Sequence, residues 1–392
     1  MTISACRGLS CLDLQTMQET PVFYKKEGQR LTATLSFQSA ESFVLLETDA
    51  ASAVRPPRAP EVLSLPSDFH FTSLPENWLT LDTAEISYDG GVTYEPARPV
   101  MLLKDLLLRN RYEGEVTLRF TFFAQTVPES LFAVFEPLRY SRISCNGMIL
   151  QPENAMWRLD RSFRCVDLHK AVHEGENTLE FTFSYWQRPY VYHVLYGGVS
   201  ESLRNCLSFD TEIECVYLCG AFCVAMPDGE VRWDERESRI YAGTFALCPQ
   251  KKEIDLRDVV TDGYPFFAGN LSVEATLMWQ PEQATALRLS GRYCVCEVSL
   301  NGHPVEKSLF SPYVELSEAL VPGENRLCLR LYNSNRNLMG PHHFPDPEPY
   351  SVGPWTFSCE NSWKDERCDA YLPERYSFVR FGLDLPNPEK EA

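Results

Sequence analysis

The sequence predicts an all-β protein in which one antiparallel β-sandwich unit occurs twice in tandem. Short runs that alternate apolar and polar residues recur along the chain, as half-buried strands do. Asn-Gly and Gly-Glu-Asn turns follow these runs in the same order twice. The 27 prolines and 20 glycines also favour many short elements joined by turns. The repeated order of strands and turns therefore predicts two related sandwiches.

The repeated strands are the clearest elements. Residues 116–122 and 271–277 each alternate, and residues 179–183 and 327–331 form a second matching pair. The side chains predicted to face inward are Val116, Leu118, Phe120, Phe122, Leu179, Phe181 and Phe183 in the first copy, and Leu271, Val273, Ala275, Leu277, Leu327, Leu329 and Leu331 in the second. The intervening polar residues, such as Thr117 and Ser272, are predicted to face outward.

The turns fix the register of the repeat. Asn146-Gly147 follows the first strand at the same distance as Asn301-Gly302 follows its counterpart, and Gly175-Glu176-Asn177 matches Gly323-Glu324-Asn325. Two unrelated sandwiches could share such turns by chance. The common order and three equal intervals favour duplication, although the stretch from Asn146 to Gly175 is longer than that from Asn301 to Gly323.

The remaining segments divide the chain into three regions. Residues 31–37 and 42–46 indicate two strands that lack partners of their own and so must dock elsewhere or belong to a remnant of a preceding β-domain. We therefore predict an N-terminal β segment with a proline-rich linker at 1–60, a first jelly-roll sandwich at 61–225 and a second, sugar-binding-like one at 226–392. The leucine-rich run at 101–111 indicates a helix or an apolar connector.

Composition excludes several functional classes. The net charge of −18 disfavours nucleic acid, because binding to phosphates depends on Lys and Arg. No apolar run is long enough for a membrane span or a secretory signal, which indicates a cytoplasmic protein. The 14 cysteines are then expected to be reduced and buried thiols. Neutral, hydroxyl-rich ligands fit this charge better than polyanions.

Several motifs resemble one family of enzymes. In the second copy they are Gly-Tyr-Pro-Phe-Phe-Ala-Gly at 263–269, Asn-Ser-Asn-Arg-Asn at 333–337, Gly-Pro-His-His at 340–343 and Val-Gly-Pro at 352–354. In the first copy they are Leu-Thr-Leu-Asp at 79–82, Tyr-Asp-Gly-Gly at 88–91 and Glu-Cys-Val-Tyr-Leu at 214–218. These stretches resemble the C-terminal regions of large bacterial glycoside hydrolases of the family-two and α-L-rhamnosidase type, which carry galactose-binding-like jelly rolls.

The resemblance implies an accessory, carbohydrate-binding region. In those enzymes the catalytic carboxylates lie on a separate (β/α) barrel, and this sequence shows no barrel pattern. Leu-Asp-Leu-Gln-Thr at 12–16 resembles the stretch that follows the barrel and its attached sandwich. We therefore expect a carbohydrate partner, a separate catalytic barrel domain or subunit, no catalytic residue in this chain, and neither cofactor nor metal.

The second copy offers the best candidate sugar site. Sugars are bound by aromatic faces together with polar side chains that satisfy the hydroxyl groups. The candidate ligand residues are Asn335, Arg336, Asn337, His342, His343, Trp355 and Trp363. The alternative is that this loop only packs against a neighbouring domain. The aromatic stretch at 185–193 is a further candidate, or else part of the core.

Two other functions remain open. A complete glycosidase would need two carboxylates flanking the bond that is cleaved. Asp210, Glu212 and Glu214, or Asp234 with Glu235, could form such a pair, but no barrel pattern surrounds them. Cys215, Cys219 and Cys223 have helical spacing, whereas their surroundings indicate strands, so a zinc site is not predicted. A purely structural module is the other alternative.

Overall fold

The computed structural model describes residues 2–4, 7–12, 14, 17–35, 42, 44–49, 52–53, 60–152, 157–226, 232–233, 238–308, 311–343 and 375–385. Within these ranges most regular structure is β-strand, arranged in mainly antiparallel sheets, which confirms the predicted all-β sandwich class. No helix in the described ranges is long and apolar enough to cross a membrane.

The N-terminal segment forms two small sheets. Its strands are β1 (Thr2–Ser4), β2 (Leu9–Leu12), β3 (Glu19–Pro21), β4 (Tyr24–Glu27), β5 (Arg30–Ala33) and β6 (Val44–Glu47). They are ordered β1-β5-β4 and β3-β2-β6, around a small core of Leu9, Val22, Leu31 and Ala33. The two strands expected here, β5 and β6, therefore have partners. The other four were missed because they are short and, in β3 and β4, largely exposed.

The next part of the chain contains two short strands that precede the first copy, and then the first copy itself. The elements of this part are β7 (Val62–Leu63), β8 (His70–Phe71), β9 (Asn77–Leu81), β10 (Thr83–Ser87), β11 (Glu95–Pro99), α1 (Val100–Arg109), β12 (Gly114–Ala124), β13 (Leu131–Phe135), β14 (Tyr140–Cys145), β15 (Met148–Ile149), β16 (Arg164–Asp167), β17 (Gly175–Tyr185), α2 (Pro189–Tyr196), α3 (Glu201–Asn205), β18 (Val216–Gly220) and β19 (Cys223–Ala225). The run at 101–111, expected to be a helix or an apolar connector, is helical as α1 up to Arg109.

The first copy is a sandwich of two sheets. One sheet has the order β11-β10-β12-β17-β14-β15, and the other has the order β16-β13-β18-β9. The two longest strands, β12 and β17, pair along their whole length, from Gly114 opposite Tyr185 to Ala124 opposite Gly175. Their predicted inward residues are all buried. Thr117 was predicted to face outward but is also buried, because its hydroxyl pairs with that of Thr182 at 3.0 Å.

The rest of the chain contains the second copy. Its elements are β20 (Arg232–Trp233), β21 (Ser238–Ala242), β22 (Ala246–Cys248), β23 (Gly269–Trp279), β24 (Ala286–Arg288), β25 (Gly291–Arg292), β26 (Val295–Leu300), β27 (His303–Ser308), β28 (Tyr313–Glu315), β29 (Gly323–Asn333), α4 (Arg336–Met339), β30 (Arg375–Val379) and β31 (Gly382–Leu383). Among these elements, β22 pairs with β12 and β19 and so extends the larger sheet of the first copy to eight strands.

The second copy repeats the central arrangement with fewer strands. Strands β23 and β29 pair from Gly269 opposite Asn333 to Trp279 opposite Gly323, within the order β27-β26-β29-β23-β8. The facing sheet is β28-β24-β7. Strands β7 and β8, which precede the first copy in the chain, thus complete the second one. The boundaries near residues 60 and 225 stay predictions.

A single apolar core runs through both copies. It includes Phe120 and Phe181 of the first copy, Leu271 and Leu329 of the second, and Phe266 between them. Buried hydrogen bonds cross the same junction. Asn77 Nδ2 in β9 donates to Gly263 O at 2.8 Å, and Thr80 Oγ1 donates to Leu338 O at 2.6 Å. Strand β9 is therefore fixed both to its own sheet and to the second half of the chain.

Candidate binding pocket

The most unusual polar group at this junction is Asp82. It directly follows β9, whose five residues are all buried, and is itself only 9% exposed. Its main-chain carbonyl accepts the N–H of Val100 at 2.9 Å, at the start of α1. The end of a buried strand and the beginning of a helix therefore place this carboxylate where the two halves meet.

Residues from the far end of the chain hold the Asp82 carboxylate. His343 Nε2 lies 2.8 Å from Oδ2, and the Tyr376 hydroxyl donates to Oδ1 at 2.9 Å. The His343 ring packs against Tyr376 with centroids 4.5 Å apart. His342 Nδ1 lies 3.8 Å from the same Oδ2. A carboxylate oxygen can accept more than one hydrogen bond, so Oδ1 keeps acceptor capacity beyond its bond to Tyr376.

These partners keep Asp82 ionised. Burial alone would raise its pKa, but the charge of His343 and hydrogen bonding from the two neighbouring histidines outweigh burial and hold the pKa of Asp82 well below its ordinary value of 3.8. The pKa of His342 moves down, since its complete burial outweighs the attraction of Asp82. His342 is therefore neutral, with Nε2 facing the carbonyl of Asn337 at 2.8 Å.

The surroundings of His343 assign its protonation state. Its Nδ1 faces the carbonyl oxygen of Arg375 at 2.8 Å, and its Nε2 faces the ionised carboxylate of Asp82. Both groups only accept hydrogen bonds, so both ring nitrogens must carry hydrogen. His343 is then an imidazolium, and its charge cancels that of Asp82.

A pocket of about 470 Å³ opens beside this pair. We call it the Asp82 pocket, and it is lined by residues 79–83, 97–99, 121–122, 243–245 and Tyr376. Strands β9, β10, β11 and β12 of the first copy form most of its wall. The segment between β21 and β22 and the side of β30 complete it. The lining includes three threonines, one arginine and a phenylalanine: Thr83, Thr121, Thr244, Arg98 and Phe245.

The predicted sugar-binding residues within the described ranges are not among those that line the Asp82 pocket. Asn337 is buried, and its amide makes two reciprocal 2.8 Å hydrogen bonds with the main chain of Val379 in β30. His342 is also buried, whereas His343 supports Asp82 from behind the pocket. The exposed Asn335 accepts hydrogen bonds from the N–H groups of Leu338 and Met339 in α4 through its carbonyl.

Arg336 is likewise absent from the lining of this pocket. Arg336 donates to the Ser377 carbonyl at 3.4 Å, and so helps α4 to hold β30. Trp355 and Trp363 lie outside the described residues. In the aromatic stretch at 185–193, Tyr185 is buried in the core, whereas Trp186 is 49% exposed. The proposed role of these residues as sugar ligands stays a prediction.

The candidate acidic pairs are engaged by cations. Lys104 Nζ lies 2.6 Å from Glu212 and 2.9 Å from Glu214. Burial opposes the charge of Lys104, but Glu214 and Glu212 outweigh it and raise the pKa of the amine. Asp210 pairs with Arg188 at 3.4 Å, and the pair Asp234 and Glu235 lies outside the described residues. In the part of the chain that is described, no group of acidic, histidine or cysteine side chains is arranged to hold a metal ion.

Asp82 and Tyr376 were missed by the sequence reasoning. The signal for Asp82 was an acidic residue at the end of a mostly apolar run. That run is Trp78 to Leu81, in which only Thr80 is polar. Nothing near Tyr376 in the sequence points to Asp82, because the two residues are 294 positions apart. Their meeting depends on how the last strand crosses the molecule.

Comparisons with known proteins give only distant likeness. No protein-family model matches the chain, and no curated protein sequence matches it. Similar solved structures include a β-D-mannosidase from Dictyoglomus thermophilum, at 14% identity and a TM-score of 0.26 over 70% of this chain and 32% of that one. An α-L-rhamnosidase from Streptomyces avermitilis matches at 13% identity and a TM-score of 0.25, over 68% and 25% of the two chains.

A β-glucuronidase from Ruminococcus gnavus matches at 9% identity and a TM-score of 0.27, over 72% of this chain and 46% of that one. All three neighbours are glycoside hydrolases. This chain spans less than half the length of each. Likeness at these scores carries no argument about function, which is therefore argued from the pocket.

Proposed function

We propose that the chain is a non-catalytic, carbohydrate-binding accessory region of a glycoside hydrolase and that its ligand binds in the Asp82 pocket. The single observation that carries the proposal is the buried, ionised Asp82 carboxylate, which retains acceptor capacity in a pocket of about 470 Å³. The sequence resemblance supplies the carbohydrate class, and the pocket supplies the place.

The chemistry of the pocket suits a neutral, hydroxyl-rich ligand. Ligand hydroxyl groups can donate to Asp82, and the side chains of Thr83, Thr121 and Thr244 can both donate and accept. Phe245 adds an apolar aromatic surface of the kind on which sugar rings pack. His343 cancels the charge of Asp82, and Arg98 adds a guanidinium that can donate to ligand hydroxyl groups.

The pocket favours binding over hydrolysis. Glycoside hydrolysis generally uses two carboxyl groups, one of which gives up a proton. Among the described residues that line the pocket, Asp82 is the one carboxylate, and its lowered pKa removes it as a proton donor. The nearby acidic residues Glu212 and Glu214 are paired with Lys104. A complete glycosidase is therefore the weaker candidate.

A matched pair of threonine variants tests the proposal. Thr121 lines the pocket, whereas Thr276 occupies the same position of the repeat in the second copy and is also exposed. A glycan panel identifies a ligand, and titration calorimetry measures its affinity. Thr121→Val should weaken binding about tenfold by removing one hydroxyl partner, and Thr276→Val should leave it unchanged.

Two results would contradict the proposal. One is retention of no glycan by the purified chain. The other is equal binding by wild type and Thr121→Val, which would place the ligand elsewhere. Release of nitrophenol from aryl glycosides by the chain alone would instead support the complete glycosidase.

A further inference from the structure

One pair of cysteines faces each other across two strands. Cys223 in β19 lies directly opposite Cys248 in β22 in an antiparallel register. Both are free thiols. Among the described strand pairings, this register alone sets one cysteine opposite another. Directly opposed residues have Cα atoms about 4.5–5.5 Å apart, which falls within the range that a disulfide spans.

The two thiols differ in access. Cys223 is fully buried, and its Sγ accepts the N–H of Lys251 at 3.3 Å. Cys248 is half-buried at the margin of the core. A side chain at Gly263 would contact the Cys223 Sγ at 3.2 Å, so this glycine leaves space for the sulfur. A small reagent would therefore reach Cys248 before Cys223.

Local charges act on the reactivity of both sulfurs. Burial raises the pKa of the Cys223 thiol, against the opposing effect of the Lys251 N–H. Burial and the neighbouring Cys223 raise the pKa of Cys248, and the Lys251 ammonium partly offsets this rise. The thiolate fraction at neutral pH is therefore small, and exchange is expected to be slow rather than absent.

We propose that Cys223 and Cys248 form a modification site that is converted to a disulfide by exchange with a small-molecule disulfide such as oxidised glutathione. The Cys248 thiolate attacks one sulfur of the reagent, which forms a mixed disulfide and releases one glutathione thiolate. The Cys223 thiolate then attacks the Cys248 sulfur and releases the second. The protein loses two electrons and two protons, which leave on two molecules of glutathione.

The link would act on one wall of the Asp82 pocket. The segment between Cys223 and Cys248 carries Gly243, Thr244 and Phe245, which line that pocket. A disulfide would tie Cys248, three residues after Phe245, directly to β19. The site itself depends on strand register, so it stands whether or not the pocket binds a glycan.

The test uses the full chain in glutathione buffers of increasing oxidised fraction. Remaining thiols are blocked with an alkylating reagent, and tryptic peptides are analysed by mass spectrometry. The expected product is peptide 205–232 linked to peptide 240–251, with a mass lower by two hydrogen atoms. Fragmentation of the linked peptides must assign the bond to Cys223 rather than to Cys206, Cys215 or Cys219 of the same peptide. The oxidised chain should also melt at a higher temperature than the reduced chain.

Single variants separate the two steps. In Cys223→Ser, Cys248 should accumulate glutathione because no second thiol displaces it. In Cys248→Ser, Cys223 should stay reduced, and oxidation should no longer raise the melting temperature. Cys206 and Cys294 are exposed and serve as controls that acquire glutathione without forming the linked pair.

The proposal is overturned if wild-type Cys248 retains glutathione while Cys223 stays reduced. It is also overturned if both thiols stay unmodified under conditions that fully modify Cys206. Cys248→Ser changes a half-buried residue and provides the decisive comparison if Cys223→Ser does not fold.

Discussion

The two copies agree closely at their turns and differ in what surrounds their sheets. In the first copy, Asn146 Nδ2 donates to Asn177 Oδ1 at 2.7 Å. Asn146 Oδ1 accepts the N–H of Thr178. In the second copy, Asn301 makes the corresponding bonds to Asn325 and Arg326, at 2.9 Å each. The same side chains thus join the same two turns twice.

The outer faces of the sheets have diverged. Thr117 and Thr182 of the first copy are buried, and their hydroxyl groups pair. The counterpart of Thr117 is Ser272, which is half-buried, and that of Thr182 is Arg330, which is exposed. The Asp82 pocket, too, is built mainly from first-copy strands. The turns that set register are thus alike in the two copies, whereas β10 and β11, at the edge of the first copy's larger sheet, line the pocket.

The largest expected effect comes from Asp82, which lies outside the repeated landmarks. Asp82→Asn leaves the buried His343 charge without its partner and should lower the free energy of unfolding by about 4 kcal/mol near neutral pH. Urea unfolding followed by fluorescence measures this difference. Tyr376→Phe removes one donor and should cost about 1 kcal/mol.

The difference in free energy of unfolding between wild type and Asp82→Asn should depend on pH. The pKa of Asp82 is lower in the folded than in the unfolded chain, so its contribution is complete above its ordinary value of 3.8 and is lost as pH falls below that value. The difference in free energy of unfolding between wild type and Asp82→Asn should therefore become smaller in acid. A difference in free energy of unfolding that stays constant as the pH falls below 3.8 would contradict the proposed ion pair between Asp82 and His343.

The next prediction concerns whether the hydrogen bonds of Asn177 and Asn325 contribute equally to stability in the two copies. Asn177 and Asn325 are almost fully buried, and each bonds to the main chain of the residue four positions earlier, His173 and Val321. Replacing either with Ala leaves several buried polar groups unpaired and should cost about 3 kcal/mol in each copy. Urea unfolding of both variants should give equal losses. A much smaller loss in one copy would show that its turn is redundant.

The smallest effect concerns backbone conformation alone. Gly147 and Gly302 have φ of +80° and +83°, and a Cβ at either would meet nothing within 4 Å. Ala at either position should therefore cost only the left-handed strain, about 1 kcal/mol, with little difference between copies. Thermal melts of the two variants check this, and a clearly larger shift in one would break the equivalence.

Sequence reasoning was successful where structure depends on local periodicity. The faces of β12, β17, β23 and β29 and the turns at Asn146 and Asn301 were predicted residue by residue. The N-terminal strands were undercounted because strands of three or four residues, two of them largely exposed, give no clear alternation. Thr117 was assigned to the wrong environment because alternation does not reveal that a threonine on the next strand will pair with it.

The sequence by itself determined the β class, the duplicated strands and the turn residues, because each depends on neighbours a few positions away. Only the tertiary structure decided where the candidate pocket lies. Asp82 meets His343 and Tyr376 across 261 and 294 positions, and Cys223 meets Cys248 through strand register. These contacts follow from sheet edges and chain crossings, which are set by packing of the whole core rather than by any local run of residues.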